Sequence, residues 1–526
     1  MRARYLTVFA LLGWVSGVAA LGQEPLTSPP PTVGTIEIVG HEVFDETGET
    51  FLAPFRLANK VHVRTRDRVI RRELLFVSGD PVNAELFEQT ERNLRGLRFL
   101  RDARVETISV DADGDGRVER VDVRVVTWDA WSLAPRVDFE QVEDRTIWEA
   151  GFSEKNFLGL GKAITVTHRT NLDRTSDRVL YRDPQLIGSR FMLTASLAKL
   201  SDGDEEFMTL TRPYFSLRDK WTFSIKGGAF SRRDPLFRDG EEVGRLDHRA
   251  EWGDLELGRT IRQRATSAVR FNGAYRTREE RVGSYIRDFG IVEVGISSVE
   301  HRFTRLTHVN RFERTEDFNL GAQSHATVGL STPTLGGGDG RVFFIAAGHS
   351  RGIAFRPDHL LIARVGVAAR HEPRQWLNAL AEARVHYLRK HATRHVLVGK
   401  IEFRRGHNLD PEVQILLGAE SGLRGYPVRQ FAGDRSLLLS AEERWFIADD
   451  IGQLVSLGAA AFVDSGFAWS ERYSFSLRDL KTAVGVSLLV GSTRLRPMVR
   501  FDVGYALTPV GDTGRWVFAV GSEIGI

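Results

Sequence analysis

The chain has 526 residues, of which 42% are hydrophobic and 27% are charged, and its net charge of +3 is scattered without a basic block. This pattern argues against a nucleic-acid partner, because nucleic-acid-binding proteins concentrate lysine and arginine on one face or segment. The chain has no cysteine, which excludes disulfides, thiolate nucleophiles and cysteine-ligated metals.

The N-terminal residues predict export. Arg2 and Arg4 precede an apolar run that ends in small residues at Ala20. We predict a cleaved signal peptide over residues 1–20 and a proline-rich linker over residues 21–32. The alternative, a retained helical anchor, requires a longer apolar run. Because no other segment is long and apolar enough for a transmembrane helix, a membrane form of this chain must be a closed barrel.

A small α+β domain is predicted over residues 33–128. Thr35 to Val39 alternates as a strand, and helical spacing follows over residues 67–76 and again after Asn83, a favourable N-cap. Alternating residues between Ala103 and Val126 predict a hairpin. The order strand, helix, helix, strand, strand resembles a POTRA domain, a periplasmic docking module found before BamA-type barrels. A generic α+β domain is the alternative.

An aspartate-rich turn lies within this predicted hairpin. Asp111, Asp113 and Asp115 have the spacing that begins a calcium loop, with Asp122 at the twelfth position. Aspartate and glycine also form ordinary hairpin turns, and Asp122 falls in the strand that leaves the loop. The hairpin turn is the favoured interpretation, and calcium binding stays open.

Residues 130–526 predict a mostly β region. Short segments, such as the one beginning at Trp221, alternate apolar and polar residues. Alternation also suits a soluble sandwich. Export, aromatic residues at strand ends (Tyr181, Tyr214 and Tyr505) and the lack of helices that could cover a sheet favour a transmembrane antiparallel β-barrel. The pattern yields about twenty strands, an even number as in bacterial barrels.

The segment from Gly418 to Phe446 combines a glycine-rich loop with a strand that has two unlike faces. One face of this strand is apolar and the other is polar. The apolar face carries Leu437, Leu439, Ala441 and Trp445, and the polar face carries Ser440, Glu442 and Arg444.

Three motifs resemble those of the BamA/TamA-type outer-membrane assembly superfamily, the bacterial surface antigen family. They are Arg424-Gly425-Tyr426, the Phe462, Asp464 and Gly466 of a Phe-x-Asp-x-Gly strand, and Asn156-Phe157-Leu158-Gly159-Leu160-Gly161. The resemblance implies about sixteen barrel strands. It also implies a long loop folded into the barrel, whose arginine engages the Phe-x-Asp-x-Gly strand.

Elementary electrostatics is consistent with the pairing that the resemblance implies. In a narrow lumen Arg424 would be partly desolvated and would need an anionic partner. Asp464 shares a strand face with Phe462, whose ring can stack on a guanidinium. We therefore predict a loop lock between the two motifs. The alternative places Arg424 in an ordinary surface loop.

The resemblance implies a function in the outer membrane, with the N-terminal domain in the periplasm. The protein would receive unfolded outer-membrane or secreted proteins and insert or translocate them at a barrel seam, without a cofactor and not as an enzyme. Further implied partners are outer-membrane lipids, periplasmic chaperones and lipoproteins. The seam would lie between the first barrel strand, near residues 132–139, and a last strand with Trp516, Phe518 and Val520.

Three alternatives remain. They are a dedicated two-partner secretion pore, a passive channel and an outer-membrane hydrolase. The last rests on Gly348-His349-Ser350-Arg351-Gly352, which matches a nucleophile elbow. An elbow needs a strand-to-helix turn, whereas the residues after Gly352 predict a turn and a strand, so we assign no catalytic residue and no metal.

Overall fold

A computed structural model describes residues 31–44, 56, 59–60, 62–112, 118–142, 145–171, 173–452, 454–492, 498–510 and 515–521. The predicted signal peptide, residues 21–30 of the predicted linker, the centre of the aspartate-rich turn and residues 522–526 lie outside the described residues.

The N-terminal part forms a three-stranded sheet covered by two helices. In chain order its elements are β1 (Thr32–His41), α1 (Asp67–Glu73), α2 (Ala84–Gly96), β2 (Leu100–Ala112) and β3 (Val118–Asp129). β3 lies centrally, parallel to β1 and antiparallel to β2. As predicted, Asn83 caps α2 by accepting a hydrogen bond from the Leu86 amide at 3.1 Å. Leu94 and Val123 lie in the core between helices and sheet.

The remaining strands begin with ten that belong to a barrel: β4 (Leu133–Val142), β5 (Arg145–Phe157), β6 (Lys162–Thr170), β7 (Thr175–Asp183), β8 (Met192–Leu200), β9 (Gly203–Arg212), β10 (Trp221–Arg238), β11 (Glu241–Gln263), β12 (Ser267–Val282) and β13 (Tyr285–Glu300). A separate hairpin follows, made of β14 (Phe303–Leu306) and β15 (Glu316–Asn319). The barrel continues with β16 (Gln323–Ser331), β17 (Val342–Arg356), β18 (His359–Glu372), β19 (Gln375–Ala392) and β20 (His395–His407). A second separate pair is β21 (Ile415–Leu417) with β22 (Phe431–Gly433). The last barrel strands are β23 (Arg435–Ile451), β24 (Val455–Trp469), β25 (Lys481–Gly491), β26 (Val499–Ala506) and β27 (Trp516–Gly521).

Twenty of these strands close into one barrel in which β27 lies beside β4. The strand number predicted from the alternating pattern is therefore confirmed, and the sixteen implied by the resemblance is wrong for this chain. Neighbouring strands are antiparallel. A closed barrel pairs the backbone of every strand on both sides, so no edge is left open. Among the described residues, no helix has the length and apolar character needed to cross a bilayer.

The two faces of the barrel wall differ in chemistry. Ile225, Leu255, Tyr275 and Val292 point outward from four neighbouring strands and are 40–46% exposed. The lumen face of the same strands carries ion pairs, such as Arg276 with Asp254 at 2.9 Å and with Glu293 at 3.0 Å. Tyr214, one of the aromatic residues at strand ends that favour a membrane barrel, lies on the lumen side, where Arg270 stacks on its ring at 3.7 Å.

The N-terminal sheet lies against one end of the barrel, which we call the lower end. The turn after β5 holds it there: Asn156 donates to Thr65 Oγ1 at 2.9 Å and accepts from the Gly161 amide at 2.7 Å. Gly161 has a φ of +69°, and a Cβ at this position would lie 2.9 Å from the Phe99 ring of the N-terminal core. The Asn156 to Gly161 motif is therefore a turn that interlocks the two parts of the protein.

Candidate functional site

A loop of residues 408–434, here called the inner loop, enters the lumen between β20 and β23. Leu423 and Tyr426 near its tip are 0% and 1% exposed, and they pack with Leu438 on the barrel wall. β21 and β22 form the base of the loop. The glycines of the segment permit the turns, since Gly422 and Gly425 both adopt positive φ.

Arg424 at the tip is bound to the wall by several contacts. Its Nε and Nη2 donate to the two carboxylate oxygens of Asp464 at 2.8 and 2.9 Å, and its backbone amide donates to the same group at 3.2 Å. The guanidinium carbon lies 3.7 Å from the centre of the Phe462 ring. Asp464 is fully buried. A bidentate, stacked arginine of this kind holds a loop in one position.

Glu442 on β23 is a second partner of the same guanidinium. It accepts from Arg424 Nη1, from Arg444 Nε at 2.6 Å and from Arg500 Nη2 at 2.9 Å. Arg500 also pairs with Asp502 at 2.9 Å. Together with Asp464 the cluster balances three cations with three anions, which meets the requirement that buried charges be compensated.

The residues after Arg424 fit against the last strands of the barrel. Gly425 has a φ of +93°, and a Cβ there would lie 2.7 Å from the Ala483 Cβ. A Cβ on Gly504 of β26 would lie 2.6 Å from the Gly425 amide nitrogen. The Tyr426 hydroxyl donates to the carbonyls of Thr482 and Thr508 at 3.0 and 2.9 Å. The loop tip therefore contacts β25 and β26 through backbone and side chain together.

The opposite side of the inner loop is bound to the opposite wall. Asp410 accepts from Arg370 at 2.5 and 2.7 Å and from Arg287 at 3.1 Å. Arg287 also donates to both oxygens of Glu412. Arg429 pairs with Asp173 of the turn between β6 and β7. The loop spans the lumen and is anchored by charge on both sides.

A second segment, residues 301–322, enters the lumen from the lower end; we call it the lower hairpin. Val309 and Phe312 at its tip are 0% and 2% exposed. They pack on apolar lumen residues, including Phe446, whose ring centre lies 5.1 Å from that of Phe312. Arg444 donates to the Val309 carbonyl at 2.8 Å. Because Arg444 also binds Glu442, both inserted segments meet at one cluster.

The lower hairpin also contacts the N-terminal sheet. Asp317 of β15 accepts from Arg95 of α2 at 2.9 and 3.0 Å. Arg305 of β14 donates to Glu91 of the same helix at 2.8 Å. Arg314 donates to the Leu100 carbonyl at 3.0 Å. The hairpin therefore links α2 and the start of β2 to the barrel interior.

The structure brings the six predicted lock residues together. Arg424, Gly425 and Tyr426 lie on the inner loop, and Phe462, Asp464 and Gly466 lie along the lumen face of β24, with Gly466 beneath Leu417.

The predicted seam residues lie elsewhere, on β27. Trp516 and Phe518 point outward and are exposed, and Val520 shares their face. Val517, between them, packs on Val428 of the inner loop. The loop thus reaches the strand that adjoins β4.

Several members of the site were not identified as such from sequence. Glu442 and Arg444 were placed on the polar face of their strand but not paired with Arg424. A polar face that points into a closed lumen requires charge partners, and that signal could have linked them. Gly504 carried no signal, because its requirement arises only when another chain segment approaches it.

The structure also places two other residues that the sequence analysis considered, Ser350 and Asp122. Ser350 lies inside β17, so the strand-to-helix turn of a nucleophile elbow is not formed there. The Asp122 carboxylate accepts a hydrogen bond from the Thr35 amide at 2.6 Å. Its calcium role is not tested, because residues 113–117 lie outside the described residues.

Comparison with known proteins gives low similarities. No protein-family model matches the chain. No curated protein sequence matches it either. Among solved structures, CdiB from Acinetobacter baumannii is 13% identical, with 93% of this chain and 73% of that chain covered and a TM-score of 0.45. CdiB from Escherichia coli is 12% identical, with 96% and 92% covered and a TM-score of 0.41. BamA from Haemophilus ducreyi lacking POTRA domains 1-3 is 11% identical, with 93% and 84% covered and a TM-score of 0.39. Likeness at this level assigns no function, and the proposals below rest on the residues of this chain.

Proposed function

We propose that this protein is an outer-membrane barrel that assembles or translocates other proteins. Its POTRA-like N-terminal domain would lie in the periplasm and receive unfolded chains, which enter the membrane at the seam between β27 and β4. The observation that carries this proposal is the inner loop, which Arg424 fixes to Asp464 and Glu442 and which reaches β27 through Val428. A loop anchored in this way sets the position of the strands beside the seam.

The outer face of the barrel supports placement in a membrane. Exposed apolar residues lie side by side on neighbouring strands, and charged groups beside them on the same strands, such as Arg276 and Glu293, point into the lumen. Soluble proteins rarely expose contiguous apolar surface of this extent, and a lipid-facing barrel requires it. The aromatic pair Tyr505 and Trp516, with ring centres 4.8 Å apart, lies on this face at the seam.

The seam lies between β27 and β4, which are neighbours in the closed barrel. Opening there would expose strand edges to which an incoming chain can add by β-augmentation.

A dedicated secretion pore is the second candidate, and the lower hairpin favours it. Val309 and Phe312 occupy the lower lumen, and the contacts of Arg95 with Asp317 connect them to the N-terminal domain. A client bound to that domain could displace the hairpin and open a path through the lumen. A passive channel fits less well, because two inserted segments occupy its interior.

Depletion of the protein in its native cell distinguishes the two candidates. We expect a broad loss of folded outer-membrane proteins, measured by heat-modifiable gel migration. Loss of one secreted protein, with the other barrels unchanged, would favour the secretion pore. The mature protein found soluble in the periplasmic fraction would contradict both.

In vesicles, the purified protein is expected to accelerate the folding of an unfolded barrel client, and Arg424→Ala is expected to abolish that acceleration.

A further inference from the structure

Two adjoining grooves of about 790 and 830 Å³ lie on the outer face of the barrel, beside the middle of β10 and β11. They share Leu197, Glu206, Ala229, Glu251 and Glu279 as lining residues. We refer to them together as the outer groove. It lies directly above the exposed apolar residues of β10 to β12, two residues along each strand from Ile225 and Leu255.

The floor of the outer groove is made of small residues. Gly227 on β10 pairs directly with Gly253 on β11, and Ala195 and Ala229 line the same space. Glycine inside a strand weakens pairing and packing, and it often marks a place where another molecule approaches the backbone. The exposed side chain of Leu197 borders this floor. The floor is therefore an apolar depression that is continuous with the apolar face below it.

Beside this floor, side chains of like charge lie opposite each other on neighbouring strands. Glu251 lies directly opposite Glu279, and in the next outward-facing row Arg249 lies directly opposite Arg281. All four side chains are exposed, and none has an ion-pair partner among the described residues. Like charges opposite each other in a sheet are destabilising. A ligand that supplies both signs of charge would compensate both pairs.

The lumen face of the same strands carries a different arrangement of charges. There, Arg276 is surrounded by carboxylates of both neighbouring strands, and His248 lies between Asp234 at 2.6 Å and Glu280 at 2.9 Å. The barrel thus pairs opposite charges across these strands inside, whereas outside the two like-charged pairs of the groove stand beside ordinary ion pairs such as Arg233 with Asp247 at 4.0 Å.

We propose that the outer groove binds a membrane lipid with a phosphate-bearing headgroup, together with one divalent cation. The acyl chains lie along the apolar face that includes Leu255, and the headgroup occupies the groove. Glu251 and Glu279 contact the cation, and the cation contacts the phosphate. Arg249 and Arg281 donate to the remaining phosphate oxygens, a pairing for which guanidinium groups are suited.

Metal chemistry favours a cation site whose ligands come from both the protein and the lipid phosphate, and not from the protein alone. Among the described residues, no three His, Asp or Glu side chains converge to hold a metal by themselves. Magnesium is commonly bound through one or two carboxylates completed by phosphate oxygens and water. The groove volume is also in the range of small-molecule sites and exceeds the space that a free phosphate needs. This inference rests on the proposed membrane location.

The test uses the full chain reconstituted in phosphatidylcholine vesicles with spin-labelled lipid. Electron paramagnetic resonance measures the fraction of motionally restricted phosphatidic acid, compared with phosphatidylcholine labelled in the same way. With Mg²⁺ present, we expect phosphatidic acid to be preferred about fivefold, the upper range for an exposed ion pair. Chelation with EDTA is expected to remove most of that preference.

Two double variants separate the two charged pairs. Arg249→Gln with Arg281→Gln is expected to bring phosphatidic acid down to the level of phosphatidylcholine. Glu251→Gln with Glu279→Gln is expected to abolish the response to Mg²⁺. The matched control, Arg259→Gln with Arg262→Gln, changes two exposed arginines near the other end of β11 and is expected to leave the preference intact. Heat-modifiable migration verifies that each variant is folded.

Each contrary result has a distinct meaning. No preference for phosphatidic acid in the parent chain, or an equal preference in all variants, overturns the lipid site but leaves the membrane location standing. Displacement of the labelled lipid by inorganic phosphate overturns the lipid as ligand in favour of free phosphate. If no labelled lipid of either kind is restricted, the barrel does not enter the bilayer, and the proposed function fails with the site.

Discussion

The inner loop and the lower hairpin enter the same lumen from opposite ends, but they are held by different forces. The inner loop depends on buried ion pairs, above all Arg424 with Asp464 and Glu442. The tip of the lower hairpin depends mainly on apolar contact, with Val309 and Phe312 packed on the wall, together with polar contacts such as His308 with Asp449 at 3.0 Å. A buried ion pair fails abruptly when one partner is lost, whereas apolar packing is lost in proportion to the contact removed.

The difference has a consequence for movement. Within the described part of the chain, the inner loop is bound to the barrel on opposite walls, through Arg424 and Asp410. The lower hairpin is bound to the barrel at its tip and to α2 at its base, through Asp317 and Arg95. A displacement of the N-terminal sheet would therefore act directly on the hairpin, and it would reach the inner loop only through Arg444, which contacts Val309 and Glu442. We assign the hairpin to the moving part of the lumen and the loop to its fixed part.

The largest effect is expected from Arg424→Ala, which leaves the buried carboxylates of Asp464 and Glu442 without their shared cation. Removing one partner of a buried ion pair costs about 3–5 kcal/mol, and here that cost falls on the loop position. We expect protease cleavage within residues 408–434 and loss of client folding. The barrel itself should persist, as judged by heat-modifiable migration.

Arg404→Ala is the control for that variant. Arg404 also faces the lumen, but its contact with Glu402 is long, 3.9 Å. We expect no new cleavage in the inner loop. Equal protease resistance and equal activity in both variants would show that the Arg424 cluster does not hold the loop.

Phe312→Ala tests the lower hairpin by removing an aromatic ring that is 2% exposed. Truncation of a buried phenylalanine costs about 3–5 kcal/mol, but partial collapse of the tip should keep the effect near the low end of that range. We expect larger and more frequent conductance steps in planar bilayers, with the inner loop still resistant to protease. Leu477→Ala, at an exposed upper turn, is the control. A conductance equal to that of the parent chain would mean that the hairpin does not close the lumen.

The sequence predicts the inner loop better than the lower hairpin, because one is held by ion pairs and the other by apolar contact. Arg424 and Asp464 belong to two short motifs that can be recognised in the sequence, so the resemblance could pair them in advance. The barrel could also be predicted, because alternation extends over many strands. The lower hairpin could not, since Val309 and Phe312 stand among polar residues that resemble an ordinary turn. Apolar insertion becomes recognisable only when the receiving surface, here around Phe446, is known.

Gly504→Ala tests the inner loop without changing any charge. The added methyl group would lie 2.6 Å from the Gly425 amide nitrogen, so the loop tip must shift. Overpacking of this kind costs about 1–3 kcal/mol. We expect partial protease sensitivity of the loop, weaker than in the Arg424 variant. Gly273→Ala, where a new Cβ meets nothing within 4 Å, is the matched control in another barrel strand. Identical behaviour of the two glycine variants would argue against close contact between the loop and β26.

The smallest effect is expected at the contact between α1 and the barrel. Burial raises the pKa of Glu73 above its ordinary value, although the hydrogen bond from Gln185 at 2.6 Å and the charge of Arg190 oppose the rise. Because the folded-state pKa is the higher one, the contact is most stable below the pKa of the unfolded chain. Stability is then lost as pH rises through the folded-state pKa.

We therefore expect the hydrogen-exchange protection of α1, corrected for the intrinsic rate, to fall between mildly acidic and neutral pH in the parent chain. In Glu73→Gln, which keeps the shape and a polar partner for Gln185, protection should be independent of pH over that range. The ion pair of Arg95 with Asp317 provides an internal reference, since exchange in α2 near Arg95 should not follow this titration. A pH dependence that survives the substitution would assign the effect to another group and leave α1 outside the coupling between the N-terminal sheet and the lower hairpin.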